Sequence, residues 1–377
     1  MDQAQRPLLG EVRVLRYTSL IMAAALVTAL GALGWAALMA AGEVDGEEQW
    51  HPMPHPRDSW PSWSPCGKRI VFATDRGPKH VQTVYELTLD TGHIRPISPW
   101  LLGADQPGYS PEGTKVVFAV GPRAGVADLE TGTSAILNRA HDRSDVPFYP
   151  TFRGEDIIVF MRRPRNYPHN CIYQLALGSD LTPRERSILI RDDYHLRRSA
   201  STHDGSLIAY TRIVDSQMRG GRTDICIWDS ETGTSTMVFK SPHPVERLSW
   251  FPDNSRLLVS TWFSAPGFPA QYVLDTQERR LVRLSIPPQQ MGTIVGEIDV
   301  SPDGEWLAYP RRSDAKPTSG DFAVTIWKCR LDGSQETELT HLPEWYQMRF
   351  PEQEPIEGYR KVFGDPDYDP NTRNRRE

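Results

Sequence analysis

The chain has 377 residues, of which 39% are hydrophobic and 24% are charged, so its composition is that of an ordinary globular protein. Its formal net charge of −6 argues against nucleic acid as a partner, because phosphate binding requires a basic surface. The 32 prolines and 28 glycines form neither a collagen period nor a low-complexity tract, so they are expected to separate many short strands.

Four cysteines are spread along the chain without a Cys-x-x-Cys pair, at Cys66, Cys171, Cys226 and Cys329. This spacing excludes the usual zinc-ribbon and thioredoxin motifs. Four buried thiols are the favoured prediction, because free cysteine packs as a small apolar residue. The sequence leaves undecided whether any of these cysteines would form a disulfide in an exported chain, since sequence positions do not give the distance between two cysteines.

Residues 17–42, YTSLIMAAALVTALGALGWAALMAAG, contain no charged residue and are long enough for a helix to cross a membrane. Arginines precede this run at Arg6, Arg13 and Arg16, and acidic residues follow it. The arginines predict a cytoplasmic N-terminus in residues 1–16 and an extracytoplasmic remainder. A cleavable signal peptide is the alternative, but its apolar core is typically only about 7–15 residues long. An uncleaved transmembrane helix is therefore favoured.

A unit of turn and strands recurs six times after this segment, and we number the units one to six in chain order. In each unit a turn precedes two apolar residues that lie two positions apart. The turns read SPCG, SPEG, FRGE, THDG, FPDN and SPDG, and the apolar pairs are Ile70/Phe72, Val116/Phe118, Ile158/Phe160, Ile208/Tyr210, Leu257/Val259 and Leu307/Tyr309. Proline presets one dihedral of a turn, and glycine supplies the positive φ that reverses the chain. Each unit is therefore expected to open with a β-hairpin.

Further alternating runs, such as YELTLDTG and GVADLETG, bring each unit to four short strands. The last apolar residues of successive units are 42–50 residues apart, and four-stranded units repeated at this spacing are typical of the blades of a β-propeller. A two-sheet sandwich is the alternative, but six equal repeats do not suit it. The predicted fold is thus all-β: a six-bladed β-propeller of four-stranded antiparallel blades in residues 59–342. One N-terminal transmembrane helix and a linker, residues 43–58, precede it, and a polar, proline-rich C-terminal tail, residues 343–377, follows it.

The stretches WSPCGKRIVF, YSPEGTKVVF, FPDNSRLLV and SPDGEWLAY resemble the TolB-type propeller repeat, a relative of the WD repeat. The resemblance covers about three quarters of the chain. It implies a six-bladed propeller of the kind found in bacterial envelope proteins and in the non-catalytic domains of some peptidases. Compared with TolB, the sequence is expected to lack the globular domain that precedes that propeller and to keep a membrane helix.

The sequence offers little that indicates catalysis. Ser110 lies in GYSPEG, which does not satisfy the nucleophile-elbow pattern G-x-S-x-G and occupies a blade turn. Propeller lyases of acidic sugars, which share this repeat type, hold a metal with histidines at the channel mouth, and His141, His195 and His203 are the residues that would serve here. Isolated loop histidines are the favoured interpretation. No cofactor is predicted, and whether the channel holds a cation such as calcium stays open.

A propeller presents a rigid ring whose mouth is formed where the chain enters each innermost strand. Counting twelve residues back from the last apolar residue of each unit, and adding the arginine beside Arg198, gives the candidate partner-binding residues Trp60, Gln106, Phe148, Arg197, Arg198, Arg247 and Glu297. Arginines beside aromatic rings suit a carboxylate-bearing peptide or glycan.

The sequence therefore predicts a single-pass protein of the bacterial inner (cytoplasmic) membrane, with its propeller in the periplasm or outside the cell. Its predicted role is non-enzymatic: it binds a protein partner or acts as a scaffold in a complex of the cell envelope. The alternative is a glycan-binding or metal-dependent, lyase-like propeller. These functions rest on family analogy and on the lack of catalytic motifs, since a fold alone does not define a function.

Overall fold

The computed structural model describes residues 56–341, except for 77–80, 99–102, 122, 138–147, 165–166, 216–221, 242, 265–267, 285–297 and 313–322. All regular elements in these ranges are strands, and none is a helix that could cross a membrane. The predicted N-terminus, transmembrane helix, most of the linker and the C-terminal tail lie outside the described residues, as does Glu297.

Twenty-four strands in the described ranges form the predicted blades. Blade one contains β1 (Ser59–Trp63), β2 (Arg69–Thr74), β3 (Thr83–Thr88) and β4 (Ile94–Pro96). Blade two contains β5 (Ala104–Tyr109), β6 (Lys115–Val120), β7 (Arg123–Asp128) and β8 (Ser134–Ile136). Blade three contains β9 (Phe148–Phe152), β10 (Ile157–Arg162), β11 (Cys171–Leu177) and β12 (Pro183–Ile190).

The second half of the ring repeats this plan. Blade four contains β13 (His195–Ser201), β14 (Leu207–Asp215), β15 (Arg222–Asp229) and β16 (Ser235–Ser241). Blade five contains β17 (Val245–Trp250), β18 (Arg256–Ser264), β19 (Phe268–Asp275) and β20 (Arg280–Arg283). Blade six contains β21 (Asp299–Val300), β22 (Trp306–Arg312), β23 (Val324–Arg330) and β24 (Thr337–Glu338). In every blade the four strands pair in chain order and antiparallel, so the six-bladed, all-β prediction is confirmed.

The turn between the first two strands of a blade is closed by its own serine. In blade one the Ser64 hydroxyl accepts a hydrogen bond from the Arg69 backbone N–H at 2.9 Å, and Gly67 has a φ of +70°. Ser110 and Ser301 accept the equivalent bonds in blades two and six. Asn254 takes the place of glycine in blade five with a φ of +55°, a conformation that asparagine tolerates better than most residues.

Proline and glycine of neighbouring turns also pack against each other around the ring. A Cβ atom added to Gly113 would lie 3.2 Å from the ring of Pro65 in the preceding blade. The same relation, at 3.3 Å, holds between Gly304 and Pro252 and, across the junction of blades six and one, between Gly67 and Pro302. The Ser-Pro-x-Gly motif therefore serves two purposes, because it reverses the chain and lets successive turns touch.

The core lies between the faces of adjacent blades. Val159 and Met161 of blade three, for example, pack with Ile208, Tyr210 and Trp228 of blade four. A hydrogen bond also crosses one of these interfaces: the Trp250 indole N–H donates to the Ala200 carbonyl of blade four at 3.0 Å. Burying both faces of each sheet accounts for the long apolar runs in the second strands.

Ring closure depends on Asp58, which is fully buried between blades one and six. Its backbone N–H donates to the Val324 carbonyl at 3.0 Å, and its carboxylate accepts hydrogen bonds from Thr74 and Thr340. Arg76 forms two further bonds to the same carboxylate, at 2.8 and 2.7 Å. Within the described residues no blade borrows a strand from the other end of the chain. Side-chain contacts of Asp58 and backbone hydrogen bonds of Pro56 and Asp58 with Val324 join the first and last blades.

Candidate binding site at the mouth of the propeller channel

A cavity of about 360 Å³ follows the propeller axis and is lined by the innermost strands and their turns. The residues that face it are mostly small, as in Ser62, Gly108 and Ala200. Asp299 of blade six also lines the cavity. Its carboxylate accepts hydrogen bonds from the Trp63 backbone N–H of blade one, at 2.9 Å, and from the Ser249 hydroxyl of blade five, at 2.6 Å. This carboxylate therefore ties three innermost strands together inside the channel.

A β-bulge interrupts the innermost strand of each of the first three blades close to where the chain enters it. The bulge contains a large residue with a left-handed backbone: Trp60 with a φ of +53°, Gln106 with +53° and Tyr149 with +55°. For a residue other than glycine such a conformation costs on the order of 1–3 kcal/mol and usually marks a functional constraint. Bulges of this kind turn a side chain away from the regular strand direction.

Blade three departs from the predicted alignment by one residue. Phe152 pairs with Ile158, six positions on, whereas the equivalent pair Trp63 and Ile70 in blade one is seven positions apart. The turn in blade three is one residue shorter, so Tyr149 takes the place of Trp60. Phe148, which the count from the apolar pair selected, instead pairs with Met161 one position earlier in β9.

Side chains from different blades meet at this end of the channel. The rings of Trp60 and Tyr149, from blades one and three, lie 6.1 Å apart between centroids. The Arg247 guanidinium, from blade five, lies 5.6 Å from the centre of the Trp60 ring, and that of Arg198, from blade four, lies 4.3 Å from the centre of the Tyr149 ring. Blades one, three and five alternate around the ring, so the contacts of Trp60 with Tyr149 and with Arg247 cross the axis, whereas Arg198 and Tyr149 belong to adjacent blades.

We call Trp60, Gln106, Tyr149, Arg198 and Arg247 the mouth cluster. The Gln106 side-chain oxygen accepts a hydrogen bond from the Tyr149 backbone N–H at 2.9 Å, which joins blades two and three. Guanidinium groups over aromatic rings contribute about 0.5–2 kcal/mol each, depending on how far they are desolvated. The structure therefore brings Trp60, Gln106, Arg198 and Arg247 together with Tyr149, which the sequence count did not select.

Glu246 of β17 anchors the cationic side of the cluster. Its backbone carbonyl accepts a hydrogen bond from Arg198 Nε at 2.5 Å, and its carboxylate forms an ion pair with the same guanidinium. Arg197 lies 3.7 Å from the other carboxylate oxygen of Glu246. Burial lowers the pKa of Arg198, and Glu246 opposes that change. Sequence counting missed Glu246, although its position next to Arg247 was a usable signal.

Asp105 adjoins Gln106 in β5 and was also missed by the sequence analysis. Burial raises the pKa of its carboxyl group to about 6. Within the described part of the chain it forms no ion pair, so no cation offsets this desolvation. Asp105 occupies the position of Ser59 in blade one, since each residue pairs with the alanine that follows Phe118 or Phe72, respectively.

The two described histidines of the alternative metal site do not come together. His195 begins β13 and His203 lies in the turn that follows the same strand, so the two are more than about 20 Å apart. His141 lies outside the described residues. Burial and the neighbouring His169 lower the pKa of His195, and its ring contacts the Asn170 amide at 3.3 Å. Among the described residues no three His, Cys, Asp or Glu side chains are placed to hold a metal ion.

All four cysteines are free thiols, and three of them are buried as predicted. Cys66 is the exception, because it lies exposed in the turn of blade one. Burial raises the pKa of Cys226 and of Cys329 to about 11, as expected for thiols packed in an apolar interior.

No protein-family model and no curated protein matches this chain. Among solved structures, TolB from Acinetobacter baumannii is similar with a TM-score of 0.52 and 15% identity, covering 74% of this chain and 62% of that one. A putative TolB from Agrobacterium tumefaciens also gives 0.52 and 15%, covering 67% of this chain and 86% of that one. A puromycin-hydrolysing peptidase from Mycobacterium tuberculosis gives 0.53 and 13%, covering 78% and 56%.

These likenesses define a class of fold: the chain contains a six-bladed propeller that resembles that of TolB. The chain spans less than two thirds of the length of the Acinetobacter protein, and the sequence identities are low. These structural similarities show the propeller fold alone, and the mouth cluster is the feature of this chain that bears on its function.

Proposed function

We propose that this protein is a non-enzymatic, membrane-anchored propeller that binds a protein partner at its channel mouth, outside the cytoplasm of a bacterial cell. The observation that carries the proposal is the convergence of strained backbone and cross-axis contacts at one end of the channel. Trp60, Gln106 and Tyr149 all adopt positive φ there, although regular strands would be less costly. Such strain is retained where a side chain has to be held in one orientation.

The chemistry of the mouth favours an anionic peptide segment as the ligand. Arg197, Arg198 and Arg247 bring three guanidinium groups to one side of the ring, where Glu246 supplies a carboxylate to Arg197 and Arg198. Aromatic residues and arginine are the residue types enriched in the energetically important centres of protein interfaces. A partner carboxylate placed against this side gains charge-assisted hydrogen bonds.

The membrane anchor is part of the proposal and rests on residues 17–42 and the arginines before them. The likeness to TolB supports an envelope location by analogy. Thiol labelling of the native, exposed Cys66 from either side of the membrane tests it, with C66S as the control. Reaction from the cytoplasmic side would refute the predicted topology.

Partner binding is tested by replacing both mouth arginines. We expect R198E/R247E to lose the stoichiometric protein that crosslinks to the wild-type chain in membranes. The matched control is R280E/R283E, which makes the same charge change on two exposed arginines of the outer strand β20. Because Arg198 is buried and paired with Glu246, R247E alone is measured as well, and a thermal unfolding curve confirms that each variant is folded.

Unchanged capture by the folded R247E and R198E/R247E variants would refute the mouth as the binding site. A parallel screen of the purified protein against glycans, with and without divalent metal, addresses the alternative function. Saturable glycan binding without a protein partner would replace the present proposal by a glycan-binding one.

A further inference from the structure

The chain leaves the described part of the propeller next to the mouth. Thr340 is fully buried, and its hydroxyl donates a hydrogen bond to the carboxylate of Asp58, which lies two residues before Trp60 in the chain. The carbonyl of the next residue, His341, accepts a hydrogen bond from Arg76 at 2.6 Å. The segment that continues from His341 therefore starts beside the strand that carries Trp60.

Blade one shows where a chain goes from this place. Ser98 corresponds to Thr340, because each hydroxyl accepts a hydrogen bond from a backbone N–H of the third strand, that of Val84 or Ile326. From Ser98 the chain reaches Gln106 of the mouth cluster in eight residues. A continuation of about eight residues from Thr340 is therefore long enough to reach the mouth cluster.

The sequence beyond His341 contains a segment that complements the mouth in charge. Residues 350–359 read FPEQEPIEGY and contain Glu352, Glu354 and Glu357 but no lysine or arginine. Glu352 is eleven residues from His341, a reach of up to about 36–40 Å. Three inter-strand spacings, which separate the outer and innermost strands of a blade, amount to only about 14 Å.

We propose that residues 350–359 of the C-terminal segment dock on the mouth cluster of the same chain and compete with the protein partner. The three glutamates lie against Arg197 and Arg247, and the aromatic ends of the segment contact the exposed part of the mouth. The inference rests on the proposed function, since it names the occupant of the mouth when no partner is bound. It also makes capture self-regulated, because a partner has to displace an intramolecular ligand of high effective concentration.

Arginine-specific labelling of the full-length chain tests this inference. Phenylglyoxal modification of Arg197 and Arg247 is followed by mass spectrometry in wild type and in E352Q/E354Q/E357Q, with the exposed Arg280 as internal reference. We expect the two mouth arginines to react several-fold faster in the triple variant, while Arg280 is unchanged. The control D365N/D367N/D369N removes as many carboxylates further along the same segment and should leave the rates unaltered.

A synthetic peptide of residues 350–359, added to the triple variant, should slow labelling of Arg197 and Arg247 again, and its glutamine version should not. Equal rates in wild type and the triple variant, or equal acceleration by the control variant, would overturn the inference. Loss of partner capture in R247E with unchanged labelling would refute only the tail contact. Normal capture in R247E with faster labelling in the triple variant would refute only the proposed function.

Discussion

The buried carboxylate of Asp58 gives the sharpest test of how the ring closes. It is fully buried, and it accepts two hydrogen bonds from Arg76 as well as one each from Thr74 and Thr340. Burial alone would lower the pKa of Arg76, yet Asp58 raises it above its ordinary value. The substitution D58N keeps the shape of the side chain and removes its charge, so the Arg76 guanidinium is left buried without its counter-ion.

Removing one partner of a buried ion pair costs about 3–5 kcal/mol, because the other charge stays desolvated. We expect D58N to lower the free energy of unfolding by that amount, measured by urea denaturation. D332N, in an exposed turn of blade six, is the matched control and should stay within about 0.5 kcal/mol of wild type. In a double-mutant cycle, R76M combined with D58N should cost clearly less than the two single changes together.

A D58N variant within about 1 kcal/mol of wild type would refute this account of closure. So would additive costs in the cycle, since they would mean that Asp58 and Arg76 stabilise the protein independently. In that case the backbone bonds between Pro56–Asp58 and Val324 would be sufficient to hold blade one against blade six.

Two further predictions concern the turns and the mouth. G113A should lower the free energy of unfolding by about 1 kcal/mol more than G132A does. Both glycines have positive φ, but of the two only Gly113 faces a neighbouring ring, that of Pro65. Urea denaturation of both variants measures the difference, and P65A/G113A should recover it. The pKa of Asp105 is about 6 in the folded protein against an ordinary value of 3.8, so the folded state binds the proton more tightly than the unfolded state. The free energy of unfolding should therefore fall as pH rises from about 4 to about 6, by at most about 3 kcal/mol. D105N should abolish that slope in unfolding curves recorded across the window, and an unchanged slope would show that another group is responsible.

The sequence was sufficient for the blades because each of their determinants is local. A turn such as SPCG followed by Ile70 and Phe72 contains its own hydrogen-bond acceptor, its own positive-φ glycine and its alternating strand. The count failed in blade three for an equally local reason, since the turn there is one residue shorter and moves Tyr149 into the place assigned to Phe148. Counting back three residues from the end of the innermost strand, at Phe152, would have found Tyr149, as the same count from Trp63 finds Trp60.

The mouth and the closure could not be predicted in the same way because their determinants are far apart in sequence. Asp58 and Thr340, which meet at the ring junction, are 282 positions apart. The contact of Trp60 with Tyr149 depends on two bulges, and a bulge with positive φ leaves no mark in the sequence when the residue is not glycine. Glu246 reaches Arg198 only because two blades are adjacent.

The mouth is asymmetric on a scaffold of six similar blades, and this asymmetry bears on recognition. Blades one to three supply the strained positions, with two aromatic rings and an amide, whereas blades four and five supply the arginines. The guanidinium groups of Arg247 and Arg198 lie over the rings of Trp60 and Tyr149, so a ligand at the mouth would meet stacked pairs of a cation and a ring. The six repeated blades build the ring, and the residues by which the blades differ at the mouth would set the orientation of a bound ligand.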